Sequence, residues 1–175
     1  MTIITISGLP GTGKTTVAQL LEKKLGLPYV YSGEIFRALA KKYKMSLEEF
    51  GAYCETHREI DEELDRHQVE LLKKGNLILE GRLSGWLAYQ NHIPAMKVLL
   101  TADLQTRAGR VVKREEGALE KRKKEILKRE KSEANRYKKY YRIDIKDTSI
   151  YNLIIDTGEK TPEEIADAIV QSISQ

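Results

Sequence analysis

One stretch near the N-terminus, residues 3–16, constrains the fold more than any other part of the chain. It begins with an apolar run containing Ile3, Ile4 and Ile6, which is typical of a buried strand. A glycine-rich loop, Gly8 to Thr15, follows and reads GLPGTGKT, and an amphipathic helical pattern comes directly after it. The loop has the spacing G-x-x-x-x-G-K-[ST] in the strand–loop–helix context that this motif requires. The stretch therefore predicts an α/β fold whose first loop binds phosphate.

The chemistry of this loop explains its spacing. Glycines let successive backbone N–H groups curl around a polyphosphate, and the positive end of the following helix faces the same anion. Lys14 can reach the β- and γ-phosphates and is expected to be catalytic, while the Thr15 hydroxyl can hold Mg²⁺. A nucleoside triphosphate with magnesium is thus expected here, bound by Ser7, Gly8, Leu9, Pro10, Gly11, Thr12, Gly13, Lys14, Thr15 and Thr16.

The composition is typical of one folded domain, predicted to span residues 1–175. A chain of 175 residues with 41% hydrophobic and 32% charged residues can bury a core. No apolar run approaches the length of a membrane span, and no signal peptide is expected because a strand begins almost at once. Cys54 is the single cysteine, which excludes an internal disulfide. We therefore expect a cytoplasmic protein, monomeric and without a membrane partner.

The charge balance is only mildly basic. Lys and Arg number 30 against 26 Asp and Glu, and the formal net charge is +4. An anionic nucleotide would explain that excess, so no nucleic-acid partner is expected. The charged stretch Glu120–Lys131 could be a nucleic-acid face, but its alternating signs favour a solvated helix surface.

Four further apolar runs alternate with helical patterns along the chain. They are predicted as strands Leu27–Tyr31, Leu77–Leu79, Met96–Leu100 and Leu153–Ile155. Together with the first strand they predict a five-stranded parallel sheet flanked by helices, the architecture of a P-loop NTPase. The loops at the carboxyl ends of such strands meet in one cleft.

Two segments outside this sheet are predicted to be mobile. Residues 31–75 form a helical insertion, long enough to be a flap that binds a nucleoside monophosphate. Within it, Ser46 and Glu49 predict a capping box at the start of a short helix. Residues 111–128 are predicted to form a short helical lid, with Gly117 as a hinge.

Arginines follow several of the predicted strands, which favours a kinase over a hydrolytic NTPase. A planar guanidinium suits phosphate oxygens, and arginines on both sides of the phosphate loop predict two phosphorylated ligands meeting end to end. This arrangement points to a nucleoside monophosphate kinase. The alternatives are another small-acceptor kinase, acting for example on AMP, UMP or shikimate, and a nucleic-acid-binding NTPase. The arginines concerned are Arg37, Arg82, Arg107, Arg110, Arg114, Arg129 and Arg136.

The order of these motifs resembles a known family over nearly the whole chain. The chain is similar to cytidylate kinases, specifically the short archaeal form. The matching pieces are GLPGTGKTT, YSGEIFR at Tyr31–Arg37, EGRLSGW at Glu80–Trp86, RAGRVVKRE at Arg107–Glu115 and the late SIYNLIIDT. Arg129, Glu133 and Arg136 reproduce the Arg, acidic, Arg spacing of the bacterial members.

The resemblance implies transfer of the ATP γ-phosphoryl group to CMP and dCMP. It implies that Arg37 and Arg82, with the neighbouring Ser32 and Gly81, bind the acceptor. Catalytic roles are expected for Arg110, Arg129 and Arg136, with Arg136 near the transferring phosphoryl group. Further expectations are that Arg129 and Glu133 contact CMP, that Arg107 or Arg110 lies near the ATP base, and that Glu80 orients Mg²⁺-bound water.

One departure from the family concerns recognition of the base. Bacterial members carry Asp after the Gly-Arg pair and use it to read cytosine, whereas this chain has Leu83. Our hypothesis is that Asp61, helped by Asp65, carries the choice of base, because a carboxylate accepts from the amino group that uracil lacks. The alternative is that both acids are solvent-facing positions of a helix.

Overall fold

The computed structural model describes residues 1–173, so Ser174 and Gln175 of the predicted domain lie outside the described residues. Strands and helices alternate through most of the chain. The strands are β1 (Ile3–Gly8), β2 (Tyr29–Tyr31), β3 (Leu77–Glu80), β4 (Met96–Thr101) and β5 (Leu153–Asp156). The helices are α1 (Lys14–Leu25), α2 (Ser32–Lys42), α3 (Leu47–Cys54), α4 (Arg58–Lys74), α5 (Ser84–Gln90), α6 (Leu104–Glu115), α7 (Leu119–Tyr141) and α8 (Pro162–Ile173).

The sheet has five parallel strands in the order β2-β3-β1-β4-β5, which confirms the predicted fold class. β1 lies in the centre and is buried along its whole length. β2 begins at Tyr29, two residues later than predicted, because Pro28 has no N–H to donate to a neighbouring strand. The central position of β1 puts the loop that follows it in the middle of the sheet's carboxyl edge.

Two apolar layers cover the sheet. On one face, residues of α1 and α8 such as Leu21 and Ile169 pack on Ile4 and Ile6. On the other face, Leu72 of α4, Trp86 of α5 and Tyr137 of α7 pack with Leu77 and Leu79 of β3. Burial on both faces explains why the strands read as continuous apolar runs.

Local capping signals place several helix starts. The Ser46 hydroxyl accepts from the Glu49 N–H at 3.1 Å and the Glu49 carboxylate accepts from the Ser46 N–H at 2.7 Å, which confirms the predicted capping box. The Asp103 carboxylate accepts from the Thr106 N–H at 2.8 Å and begins α6 in the same way. These bonds satisfy N–H groups that the first helical turn leaves free.

The helical insertion has a small core of its own, in which Phe50, Cys54, Ile60 and Leu64 are buried. Its helix α3 also contacts α7. The Tyr140 hydroxyl donates to the Cys54 carbonyl, 2.7 Å away, and the Ser132 hydroxyl donates to the Glu55 carboxylate. Any opening of this insertion relative to α7 must break these bonds.

The junction between α6 and α7 lies within the predicted lid. Glu116 and Gly117 have φ of 58° and 102°, so the chain reverses there in the left-handed region. The Arg122 guanidinium donates to the carbonyls of Glu115 and Glu116 at 3.0 and 2.9 Å. The Arg122 side chain therefore stabilises the turn at Gly117, which the sequence predicts as a hinge.

None of the helices within residues 1–173 combines the length and the apolar character that a membrane crossing would need.

Candidate active site

The loop after β1 has the conformation of a phosphate cradle. Gly11 has φ of 82°, and a Cβ there would lie 2.5 Å from the Arg107 carbonyl oxygen, so only glycine fits. α1 begins directly after the loop, and within residues 1–173 no side chain caps its first turn. Its N–H groups are thus available to an anion, and the helix dipole favours negative charge at the same place.

Lys14 lies buried at the base of this loop. Its ammonium donates to the Leu9 carbonyl at 3.0 Å, and the Thr12 hydroxyl donates to the same oxygen at 3.0 Å. Burial lowers the pKa of Lys14 well below its usual value, and the nearby Arg82 guanidinium acts in the same direction. An anionic ligand at this position would restore a favourable environment for the charged ammonium.

The two residues predicted to hold the metal lie in contact. The Thr15 hydroxyl donates to one oxygen of Glu80 at 3.1 Å, and the Tyr29 hydroxyl donates to the other. Hydroxyl and carboxylate oxygens are hard ligands that suit Mg²⁺. Among the described residues no cluster of three or more His, Cys, Asp or Glu is arranged to hold a metal ion, so further ligands would have to be phosphate oxygens or water.

A cleft runs from Lys14 along the inner side of the helical insertion. Among its lining residues are the predicted substrate residues Ser32, Asp61, Asp65, Gly81, Arg82, Arg129 and Glu133. The Ser32 hydroxyl donates to the Glu80 carbonyl at 2.8 Å, which ties the start of α2 to the end of β3. Most of the predicted substrate-binding set is thus brought together in one cleft.

Charge at the Lys14 end of the cleft is organised around Glu133 of α7. Its two oxygens accept from the Arg82 Nε at 2.8 Å and from the Arg129 Nε at 2.9 Å. Burial opposes ionisation of Glu133, but the two guanidinium groups outweigh it and hold the pKa below the usual value. The arrangement keeps two cations side by side and facing a cleft that also contains Lys14.

The cleft also contains Asp61 and Arg136, which form a buried pair. Arg136 Nη1 donates to Asp61 Oδ1 at 3.2 Å, and the guanidinium lies 5.7 Å from the centre of the Phe36 ring. Burial raises the pKa of Asp61 to about 6 although Arg136 lowers it. Arg136, which the sequence analysis expects near the transferring phosphoryl group, lies one turn beyond Glu133 on α7 and pairs with Asp61.

Asp65 lies one helical turn after Asp61. Its carboxylate accepts from the Gln68 amide at 3.0 Å, and burial raises its pKa to about 7. Asp61 is 6% exposed, so the alternative that these acids are simply solvent-facing is wrong for Asp61.

A second cavity lies on the other side of the phosphate loop. It is lined by Gly11, Thr12, Gly13, Thr16, Val17, Arg110, Arg114, Thr157, Lys160, Pro162 and Ile165. Arg110 donates to the Gly11 carbonyl at 3.3 Å and to the Thr157 hydroxyl at 2.9 Å. The Thr157 hydroxyl in turn donates towards the carbonyls of Thr12 and Thr101 at 3.0 and 3.1 Å.

Three predicted ligands have other surroundings. Arg107 is 5% exposed; it donates to the Ala102 and Pro10 carbonyls and pairs with Glu130, so it braces the phosphate loop. The Ser7 hydroxyl is fully buried and accepts from the Gly85 N–H at 3.1 Å. Arg37 is exposed and lies over the Tyr31 ring, outside the residues that line the cleft.

Sequence reasoning missed several lining residues. Phe36 and Leu64 line the cleft, but in the sequence they look like ordinary apolar positions of amphipathic helices. Gln68 gave no signal of its own. Thr157 directly follows β5, and the rule that strand ends carry ligand-binding residues would have found it.

The fold is that of the small P-loop kinases. A shikimate kinase from Aquifex aeolicus superposes with a TM-score of 0.60 at 18% identity, covering 98% of this chain and 96% of that one. An uncharacterised protein from Eubacterium ventriosum superposes with a TM-score of 0.74 at 19% identity, covering 100% of this chain and 99% of that one. At such identities the likeness shows the shared fold.

Sequence comparison identifies the family. Residues 3–159 match the model of the cytidylate kinase-like family, and the chain belongs to that family. It is 46% identical to the cytidylate kinase of Methanocaldococcus jannaschii over 172 residues, which covers 98% of this chain and 97% of the relative. It is also 46% identical to the cytidylate kinase of Pyrococcus horikoshii over 163 residues, covering 93% of this chain and 83% of the relative.

Proposed function

We propose that this chain is an ATP-dependent kinase that transfers the γ-phosphoryl group of ATP to CMP, and also to dCMP, giving ADP and CDP or dCDP. The observation that carries the proposal is the convergence of Lys14 with the Arg82–Glu133–Arg129 cluster in one cleft beside the phosphate loop. A donor loop and an acceptor cleft that share a lysine suit direct transfer between two phosphorylated ligands. The names of the archaeal relatives support CMP as the acceptor.

Catalysis here needs positioning and charge neutralisation rather than a base. The phosphate of a nucleoside monophosphate is already a nucleophile, so no proton has to be removed from it. Lys14 and the first turn of α1 would neutralise charge on the donor phosphates. Arg82 and Arg129, oriented by Glu133, would hold the acceptor phosphate in line, where guanidinium groups match its oxygens.

Two predicted acceptor ligands would act with them. Ser32 and Gly81 lie together in the same cleft, and the chain bends closely there, since a Cβ on Gly81 would be 2.2 Å from the Ser32 hydroxyl oxygen. Arg37 would bind the acceptor phosphate after leaving the Tyr31 ring. Glu133 is also suited to accept from a ribose hydroxyl on its cleft side.

Magnesium is the proposed metal ion, and the residues present fit it. The Thr15 hydroxyl would bind the ion, and Glu80 would accept from its water ligands, held in place by the Tyr29 hydroxyl. When bound, Mg²⁺ would neutralise charge on the β- and γ-phosphate oxygens of ATP.

The cavity beside Arg110 is the proposed site of the adenosine moiety. The planar Arg110 guanidinium lines this cavity, and its hydrogen bonds to the Thr157 hydroxyl and carbonyl hold it in place. Arg107 supports this site from behind the loop through the Pro10 carbonyl.

We further propose that the enzyme works as a cytoplasmic monomer, without a nucleic-acid or membrane partner. The helical insertion, residues 31–75, would close over CMP, and the lid, residues 111–128, would close over ATP. Closure would exclude water and so prevent loss of the phosphoryl group by hydrolysis.

The deciding experiment measures ADP production from Mg-ATP with CMP, dCMP, UMP, AMP and shikimate offered separately. We expect CMP and dCMP to be used in clear preference to the others. Preference for UMP, AMP or shikimate would contradict the proposed acceptor but retain the kinase chemistry. Turnover without any acceptor, or stimulation by RNA or DNA, would instead indicate a hydrolase or a nucleic-acid-binding NTPase.

A further inference from the structure

Two buried polar atoms at the end of the acceptor cleft lack partners. Asp61 and Arg136 have side chains that are 8% and 4% exposed, and one hydrogen bond of 3.2 Å joins them. Among residues 1–173, neither Asp61 Oδ2 nor Arg136 Nε has a hydrogen-bond partner. Burying an unpaired donor and an unpaired acceptor is costly, so their presence in a cleft indicates that a ligand completes them.

The surroundings of this pair are mainly aromatic, although the Glu133 carboxylate also acts on both of its members. Arg136 lies over the Phe36 and Tyr137 rings, at 5.7 and 5.9 Å from their centres. Aromatic and apolar side chains with a few polar atoms are suited to a flat heterocycle rather than to a phosphate.

We propose that Arg136 and Asp61 together read the edge of the cytosine base, so that Arg136 determines specificity rather than contacting the transferring phosphoryl group. This inference rests on the proposed function. Cytosine presents an amino group next to the ring acceptor N3. The amino group donates to Asp61 Oδ2, and Arg136 Nε donates to N3. One unpaired acceptor and one unpaired donor, buried on two side chains that are joined to each other, suit that edge.

Uracil reverses the pattern. It presents the O4 carbonyl where cytosine has the amino group, and an N3–H where cytosine has an acceptor. Two acceptors would then face each other at Asp61 and two donors at Arg136, in a place from which water is largely excluded. A site built on hydrogen bonds rejects an analogue that leaves its buried groups unpaired more strongly than it rejects a change of size.

The test compares kcat and KM for CMP and UMP in the whole enzyme and in three variants. Arg136→Lys keeps the charge but loses Nε, and Asp61→Asn keeps the shape but replaces an acceptor by a donor. Arg129→Lys is the matched control, since it makes the same substitution on the same helix at the phosphate end of the cleft. Binding of CMP and UMP is measured by calorimetry on each protein, and thermal unfolding checks that each variant is folded.

We expect Arg136→Lys and Asp61→Asn to reduce the CMP-over-UMP ratio of kcat/KM by about tenfold or more, mainly through KM and the calorimetric affinity. Arg129→Lys should reduce turnover of both substrates and leave the ratio unchanged. Equal losses of kcat for CMP and UMP in Arg136→Lys, at unchanged affinity, would overturn the inference and return Arg136 to the phosphoryl group. A parent enzyme that does not prefer CMP to UMP overturns both the inference and the proposed function.

Discussion

The Tyr140 hydroxyl donates to the backbone carbonyl of Cys54, 2.7 Å away, and the Glu55 carbonyl lies 2.5 Å from the same phenol oxygen. Tyr140 belongs to α7 and Cys54 ends α3, so one side chain satisfies carbonyls that a helix terminus leaves free. Because α3 belongs to the helical insertion, this contact connects the insertion to the helix that carries Arg129, Glu133 and Arg136.

Tyr140→Phe should weaken that connection without changing the shape of the site. Loss of a buried hydrogen bond of this kind lowers the free energy of unfolding by about 1–2 kcal/mol. A looser insertion should also raise KM for CMP more than KM for ATP. Chemical denaturation and steady-state kinetics measure both effects. Tyr89→Phe is the control, since Tyr89 is 53% exposed, and an equal effect of both variants would contradict the prediction.

Lys14→Ala should abolish most of the turnover. Losing one group that stabilises developing charge reduces transition-state stabilisation by about 3–4 kcal/mol, and we expect the loss of Lys14 to reduce it at least as much. The measurement is kcat with saturating Mg-ATP and CMP. Lys23→Ala, on the exposed side of the same helix α1, should leave kcat unchanged. Near-normal turnover by Lys14→Ala would refute the proposed use of the phosphate loop.

Glu133→Gln should leave two guanidinium groups without their shared anion. The Glu133 side chain is 7% exposed. Removing one partner of a buried ion pair lowers the free energy of unfolding by about 3 kcal/mol. KM for CMP should rise, because Arg82 and Arg129 lose their orientation. Glu120→Gln on α7 breaks an exposed pair with Lys123 and should change stability by less than about 1 kcal/mol. Comparable losses in the two variants would contradict the organising role of Glu133.

Asp65 should make stability fall as the pH rises. Burial raises the pKa of Asp65 from 3.8 to about 7, so the folded state binds a proton that the unfolded state has lost between these values. The free energy of unfolding therefore decreases with pH through this window. The groups that face the carboxyl are Tyr141, Asp61, Arg136 and Gln68.

Asp65→Asn removes that titration. The free energy of unfolding of Asp65→Asn minus that of the parent should be larger at pH 8 than at pH 4. Chemical denaturation at several pH values between these limits measures this difference. Asp167→Asn is the control, since Asp167 forms an exposed pair with Lys24. Parallel pH profiles for parent and Asp65→Asn would show that Asp65 titrates normally.

Thr157→Val should affect the donor side alone. It removes the hydroxyl that joins Arg110 to the Thr12 and Thr101 carbonyls, while keeping the volume of the side chain. KM for ATP should rise several-fold and KM for CMP should stay unchanged, which steady-state kinetics with each substrate varied will measure. Thr157→Ser restores a hydroxyl and should recover most of the affinity. A Ser variant as impaired as the Val variant would point to packing instead.

The fold could be predicted because its signals are local. The phosphate loop, the apolar strands and the capping residues Ser46 and Asp103 each depend on neighbours a few positions away. The partners of the arginines could not be predicted in the same way. Arg136 pairs with Asp61, 75 positions distant, and Arg37 lies on Tyr31 instead of in the cleft. Which acid an arginine pairs with depends on how the helices pack. A motif of fixed spacing cannot predict a pair of residues that lie 75 positions apart.

The cleft residues also show where pattern reasoning stops. Phe36 and Leu64 have the periodicity of a helix core, and they do pack within the insertion while lining the cleft. A helix face shared between a core and a ligand has the same apolar pattern as one that serves the core alone.

The bond between Thr157 and the Thr12 carbonyl joins residues 145 positions apart, and this separation has a consequence for folding. Closing so long a stretch of chain costs conformational entropy, so we expect the bond to form only once β5 has paired with β4. The glycine-rich loop should therefore reach its final conformation late in folding, together with the far edge of the sheet.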